Sequence, residues 1–285
     1  MYKRQVHRQA LEDRLRELLL SPSEGLHVAL LYGVAGVGTG WLAQQVAFEL
    51  KEEFPGGLLT ADLQATGVAD ALWSFVEAYD PAAVRSSLHE ASRHLRELER
   101  VLDHQRVLIV LDHVESAKQA RKVLPTKCPN TVVLLISRTL LPDLVGAENS
   151  LHVAEMMADE AEDLFRRIWE RAWRLRDTPS DTIRELARRL HFIPASMTAV
   201  ARDILNRQIA PEDYLEEIAS RRRRRELSGI VHAGFEAVYD NLPAQGQQSL
   251  PFLGVVGGGV WRLDTLVAIS QQRRADVEIG LRQLL

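Results

Sequence analysis

The stretch Leu30-Leu31-Tyr32-Gly33-Val34-Ala35-Gly36-Val37-Gly38-Thr39-Gly40-Trp41 (LLYGVAGVGTGW, residues 30–41) decides how the chain is read. An apolar run enters a glycine-rich turn and then an apolar helical pattern. That is the context of a loop which cradles phosphate with its main-chain N–H groups, written G-x-x-x-x-G-K-[ST]. Gly33 and Gly38 stand where the glycines belong, with Gly36 between them, but Thr39 occupies the lysine position and Gly40 the hydroxyl position. The ungapped reading puts Leu42, Ala43, Val46, Ala47 and Leu50 on one buried helix face, at spacings of three and four. A one-residue shift would turn Trp41 into that face and push Ala43 off it. Both changes are therefore read as true substitutions. The lysine would have carried positive charge to the outer phosphates, and the hydroxyl would have held magnesium. Main-chain N–H groups from Gly36, Val37, Gly38, Thr39, Gly40 and Trp41 remain able to face an anion.

Working outward, short runs rich in Val, Leu and Ile recur at 27–33, 57–63, 106–113 and 131–138, with a shorter one at 150–155. Helical patterns lie between them, at Trp41 to Glu53, Ala69 to Ala78, Ala82 to His104 and Ser116 to Leu124. Strand–helix alternation, with central strands apolar on both faces, predicts a parallel α/β sheet. From about residue 157 the strand signal stops and amphipathic helices follow, with Pro179 and Pro211 near helix starts. The expected division is 1–156, 157–227 and 228–285, the last ending abruptly at Leu285 as though cut within a longer protein.

The composition is that of an ordinary soluble globular protein: 285 residues, 46% hydrophobic and 26% charged, with a net charge of -4. That balance does not mark a general nucleic-acid or membrane-surface binder. One cysteine, Cys128, excludes an internal disulfide. The start, MYKRQVHRQALEDR, is unlike a signal peptide, and no apolar run is long enough to span a bilayer, so a cytoplasmic protein is expected.

A second acidic motif supports the first. VLIVLDHV ends a buried strand with Asp112, placed as a magnesium ligand at the strand's carboxyl end. The next position, where a hydrolytic enzyme of this type often holds a water-orienting carboxylate, is His113. Three positions serving one task are changed together, which favours lost hydrolysis.

The ordered set resembles the NB-ARC module of STAND-type signal-transduction ATPases. QVHRQALEDRLRELL resembles the family's N-terminal segment, and the resemblance implies that Val6, His7 and Arg8 hold adenine, with His7 in place of the usual glycine. GVAGVGTGW matches the Walker A loop and LIVLDHV the Walker B strand. LLISRT places Arg138 as a sensor arginine near the γ-phosphate. RLHFIPASMTAVA resembles the "GLPL" segment, with Pro194 in the proline position against the ligand and Phe192 in place of its glycine. FEAVYDNLPAQGQQSLPFLGVVGGGVWRLDTLVAI is similar to the start of the family's winged-helix domain. The implied fold is a P-loop NTPase sheet followed by a helical bundle and part of a winged helix. The implied cofactor is ADP or ATP, with Mg.

The resemblance further implies a nucleotide-controlled scaffold that works through domain contacts with protein partners, including copies of itself, and not through nucleic acid or membrane. Two other readings stay open: an active ATPase with a non-standard loop, and a winged-helix DNA-binding regulator using Arg221 to Arg225. Blander roles are open too. Arg8 can sit on a helix surface, Arg138 can pair with a carboxylate, Asp112 can cap a helix and Pro194 can simply begin one. Trp41 can pack in the core or over the loop, and the arginine run can be a solvated helix end.

Overall fold

In the computed structural model the described residues are 8–21, 25–82, 91–126 and 128–224. Two compact units divide them, Gln9–Ala154 and a second formed by Arg8 with the chain from Glu155 onward.

The first unit is built on five parallel strands in the order β2-β3-β4-β1-β5. They are β1 (His27–Tyr32), β2 (Gly57–Asp62), β3 (Val107–Asp112), β4 (Val132–Ser137) and β5 (Ser150–His152). α1 (Gln9–Leu20) precedes β1, and the crossovers that parallel strands require include α2 (Thr39–Glu49), α3 (Val68–Tyr79), α4 (Ala91–Val101) and the single turn α5 (Ala117–Ala120). The central strands are apolar on both faces because helices cover both. Leu30, Ile109, Leu111 and Leu135 point into one layer with Leu72, Phe75 and Leu98 of α3 and α4. Their neighbours Leu31, Leu108, Val110 and Leu134 point into the other, with Leu15 of α1 and Leu42 and Val46 of α2. The α2 face anticipated from spacing is buried throughout, since Leu42, Ala43, Val46, Ala47 and Leu50 are each at most 5% exposed. Trp41 packs against that same layer.

Order reversal in such a sheet opens a crevice at the strands' carboxyl ends. β1 lies between β4 and β5, and the register sets Tyr32 beside Ser137 and His152 at that edge, with Asp62 beside Asp112 on β2 and β3. Every polar strand end therefore gathers on one rim.

Cys128 lies in the loop before β4, buried, with its Sγ 3.7 Å from the Glu99 carbonyl oxygen. Burial, reinforced by the charges of Glu99 and Asp103, pushes the thiol up to about 11. A thiolate is the reactive form, so in the native protein at pH 8 the thiol is expected to resist a disulfide reagent and to react within seconds once unfolded in guanidinium. Rapid native labelling, followed by absorbance, would contradict this placement.

The second unit is helical: α6 (Ala158–Trp169), α7 (Trp173–Arg176), α8 (Ser180–Arg189), α9 (Pro194–Arg207) and α10 (Pro211–Arg224). Its core joins Phe165 and Trp169 of α6 to Leu186 of α8, Met197 and Ile204 of α9, and Tyr214 of α10. The Trp169 Nε1–H donates to the Ala201 carbonyl at 2.9 Å, satisfying the indole's one polar group inside an apolar layer. Arg221 to Arg224 form the last turn of α10. Arg225 and the winged-helix segment read at 228–285 lie outside the described residues, as do Val6 and His7.

Candidate functional site

The glycine-rich turn between β1 and α2 is held by main-chain contacts. Gly33 N–H donates to the Ser137 carbonyl at 3.2 Å, prolonging the β1–β4 ladder by one rung. A Cβ at Gly33 would stand 2.6 Å from the Val153 carbonyl oxygen and 2.9 Å from Val37 Cγ1, so only glycine fits between the loop and the end of β5. Gly36 and Gly38 take φ of 81° and 101°, left-handed values that side chains resist. Val37 is buried beneath the loop, whereas Val34 is exposed. α2 then begins at Thr39 with no side chain capping it, and above Gly38 nothing lies within 4 Å of the Cβ position. An uncapped helix start beneath open space, lined by successive main-chain N–H groups, fits an anion.

Gly40 comes closest to the acid. Its Cβ position is 3.2 Å from Asp112 Oδ2, so the position read as a lost hydroxyl does face Asp112. Asp112 is not a helix cap: the α5 cap is Ser116, whose Oγ accepts from Gln119 N–H. The other Asp112 oxygen accepts the His113 N–H at 2.7 Å. His113 leaves the strand with φ 54°, a left-handed turn that sets its Nδ1 3.0 Å from Asp62 Oδ1 and 3.7 Å from Asp112 Oδ1. Asp62 also accepts the Gln64 and Ala65 N–H groups. Asp62 was not singled out from sequence. The available signal was its place at the end of GLLTAD, an acid at a strand's carboxyl end like Asp112.

Among the described residues, a magnesium ion here would rest on Asp112 together with the nucleotide's phosphates and water, not on a cage of protein ligands. Asp112 faces a glycine rather than a hydroxyl, an imidazole stands between it and Asp62, and no group of three His, Cys, Asp or Glu among the described residues could hold a metal. Arg138, just beyond β4, is exposed and pairs with no carboxylate among the described residues.

The remaining sequence candidates gather in the helical unit. Arg8 Nη2 donates to the Glu155 carbonyl at 3.1 Å, and its Nε lies 3.4 Å from Glu160 Oε2. Met156 N–H donates to the Phe192 carbonyl at 3.0 Å. Pro194 is the first residue of α9, where its missing N–H costs nothing. Just before it, His191 and Phe192 take φ of 54° and 55°. Phe192, read as replacing a glycine, thus keeps a glycine-like backbone at a cost of about 1–2 kcal/mol. Arg8 and the Phe192–Pro194 turn are therefore linked through residues 155 and 156. Gly33 to Trp41, Asp112 and Arg138 form a separate group at the sheet's carboxyl edge.

The chain is 32% identical over 255 residues to "Regulatory protein AfsR" of Streptomyces griseus, covering 84% of this chain and 25% of that protein. It is 31% identical over 272 residues to the protein of the same name from Streptomyces coelicolor, covering 90% of this chain and 26% of the relative. The chain thus spans about a quarter of the length of these relatives. Among solved structures, the STAND protein with a tetratricopeptide repeat sensor from Pyrococcus horikoshii superposes with a TM-score of 0.61 at 13% identity, over 98% of this chain and 38% of that one. Cdc6p from Pyrobaculum aerophilum gives 0.55 at 15% identity, over 98% and 79%. At such identities these two show the fold alone. The model of the NB-ARC domain matches residues 8–174, more than half of the chain, from Arg8 through the phosphate loop and the Asp112 strand into α7, and the chain belongs to that family.

Proposed function

We propose that this chain is the nucleotide-binding regulatory module of a larger AfsR-like regulator, holding ADP or ATP through main-chain amides without hydrolysing it. One observation carries this reading: the cradle from Gly33 to Trp41 keeps its glycine geometry, while Thr39, Gly40 and His113 occupy the positions of its chemistry. Backbone amides bind phosphate whatever side chains they bear. Without the lysine, the hydroxyl and a second carboxylate, nothing gathers charge on the γ-phosphate or orients water against it. The module then acts by what it holds and whom it contacts. Its proposed partners are other domains of the regulator, other proteins and copies of itself, in the cytoplasm. No described helix is long and apolar enough to cross a membrane.

The test is direct. Purified protein is denatured and its supernatant resolved by ion exchange, while calorimetry measures ADP and ATP binding with and without EDTA. The expected result is nucleotide binding indifferent to EDTA and phosphate release at background. Affinity that collapses on chelation would overturn the reading.

Arg138 supports one rival. An exposed arginine without a carboxylate partner among the described residues, at the end of β4, could supply the positive charge that Thr39 does not. That reading requires steady phosphate release, abolished by Asp112→Ala.

A further inference from the structure

Two carboxylates stand at the rim beside a turn suited to an anion, and such an arrangement opposes itself unless something offsets the negative charge. Asp112 is placed nearest, since its Oδ2 lies 3.2 Å from the Cβ position of Gly40, in the turn whose amides face an anion. Asp62 sits opposite Asp112 in the β2–β3 register. Among the described residues no lysine or arginine pairs with either acid. The side chain that faces both is His113. Its Nδ1 is closed off from water, 3.0 Å from Asp62 Oδ1 and 3.7 Å from Asp112 Oδ1. The left-handed backbone at His113, with φ 54°, accompanies a main-chain N–H that donates to Asp112 Oδ1 at 2.7 Å. Asp62 is fixed by the Gln64 and Ala65 N–H groups, at 2.9 and 3.2 Å. All of these residues lie in the sheet unit.

We propose that His113 makes the loop independent of divalent cations: its imidazole turns an N–H toward the two rim carboxylates and offsets them, so that the turn holds phosphate without a metal between. The proposal rests on the reading above, in which that turn binds phosphate, and it gives that reading's indifference to chelation a cause. No change of protonation is needed, because the neutral ring with its hydrogen on Nδ1 already presents the donor. A carboxylate at position 113 would do the reverse. It would add a third negative charge to the rim and restore the need for a cation.

His113→Gly, made in the whole chain, removes the ring and keeps the backbone, because glycine accepts a left-handed φ freely. Calorimetry with pyrophosphate is run in EDTA and in excess magnesium. Wild type is expected to bind equally in both. The variant should bind about tenfold more weakly in EDTA, the effect of losing one charge-assisted contact, and regain wild-type affinity in magnesium. Adding Asp112→Asn to the variant should restore affinity in EDTA, since the acid left without an offset is then gone. His113→Asp, the second variant, should lose more in EDTA than His113→Gly does. Equal losses with and without magnesium, or a loss that Asp112→Asn fails to repair, would show that His113 only holds the fold and would overturn the proposal. Unchanged affinity of His113→Gly in EDTA would overturn it too. A wild-type protein that binds neither pyrophosphate nor ADP would instead overturn the functional reading beneath it.

Discussion

Thr39→Lys combined with Gly40→Ser is expected to raise ATP affinity and make it dependent on magnesium. A lysine restores the charge that the outer phosphates lack, and a charge-assisted contact is worth about 1.5–3 kcal/mol, roughly ten- to hundredfold in affinity. Serine at position 40 returns a hydroxyl beside Asp112. Its Cβ would stand 3.2 Å from Asp112 Oδ2, so the carboxylate must yield by a few tenths of an ångström, which a side-chain end can do. The serine hydroxyl would then join the Asp112 oxygen that faces position 40. Calorimetry on wild type and double variant, each with and without EDTA, reads the effect. If the variant bound ATP no better than wild type, the loop would not be a phosphate site from which two groups had been lost.

The second large effect concerns stability. Gly33→Ala is expected to cost about 3 kcal/mol, at the upper end for overpacking, because the new methyl meets a main-chain oxygen that cannot move aside. The Val153 carbonyl would be 2.6 Å away. Its own residue is tied in turn, through Val153 N–H donating to the Tyr32 carbonyl at 2.8 Å. Gly38→Ala is the matched comparison. There the Cβ meets nothing within 4 Å, and only the φ of +101° opposes it, at about 1 kcal/mol. Urea denaturation of the three proteins gives the ordering, and equal losses would show that the space beneath Gly33 is not closed by Val153.

Much of this was legible in the letters. The runs at 107–111 and 132–136 are apolar without a break because both faces are covered, and continuous apolar runs between turn residues can be read directly. The α2 face was legible because spacings of three and four admit one register. Other features depend on contacts distant in sequence. Arg8 and Glu160 meet across 152 positions, and nothing local to either names the other. His113 reaches Asp62 only because β2 and β3 lie side by side with Asp62 opposite Asp112. The helix expected over Ser116 to Leu124 shrinks to Ala117–Ala120. Pro125 disfavours helical geometry in the residue before it, and the chain turns at 121–123. The left-handed backbone at Phe192 was hidden for another reason: a bulky residue gives no sign of it.

The two apolar layers on either face of the sheet have a consequence for drift. What keeps this protein folded resides in Leu, Val and Ile seated far from the rim, whereas what would cleave a phosphate bond resides in a few letters upon it. Natural variation at positions 39, 40 and 113 can therefore retire an occupation without collapsing the workshop, and thermal stability is blind to which of the two a lineage has kept.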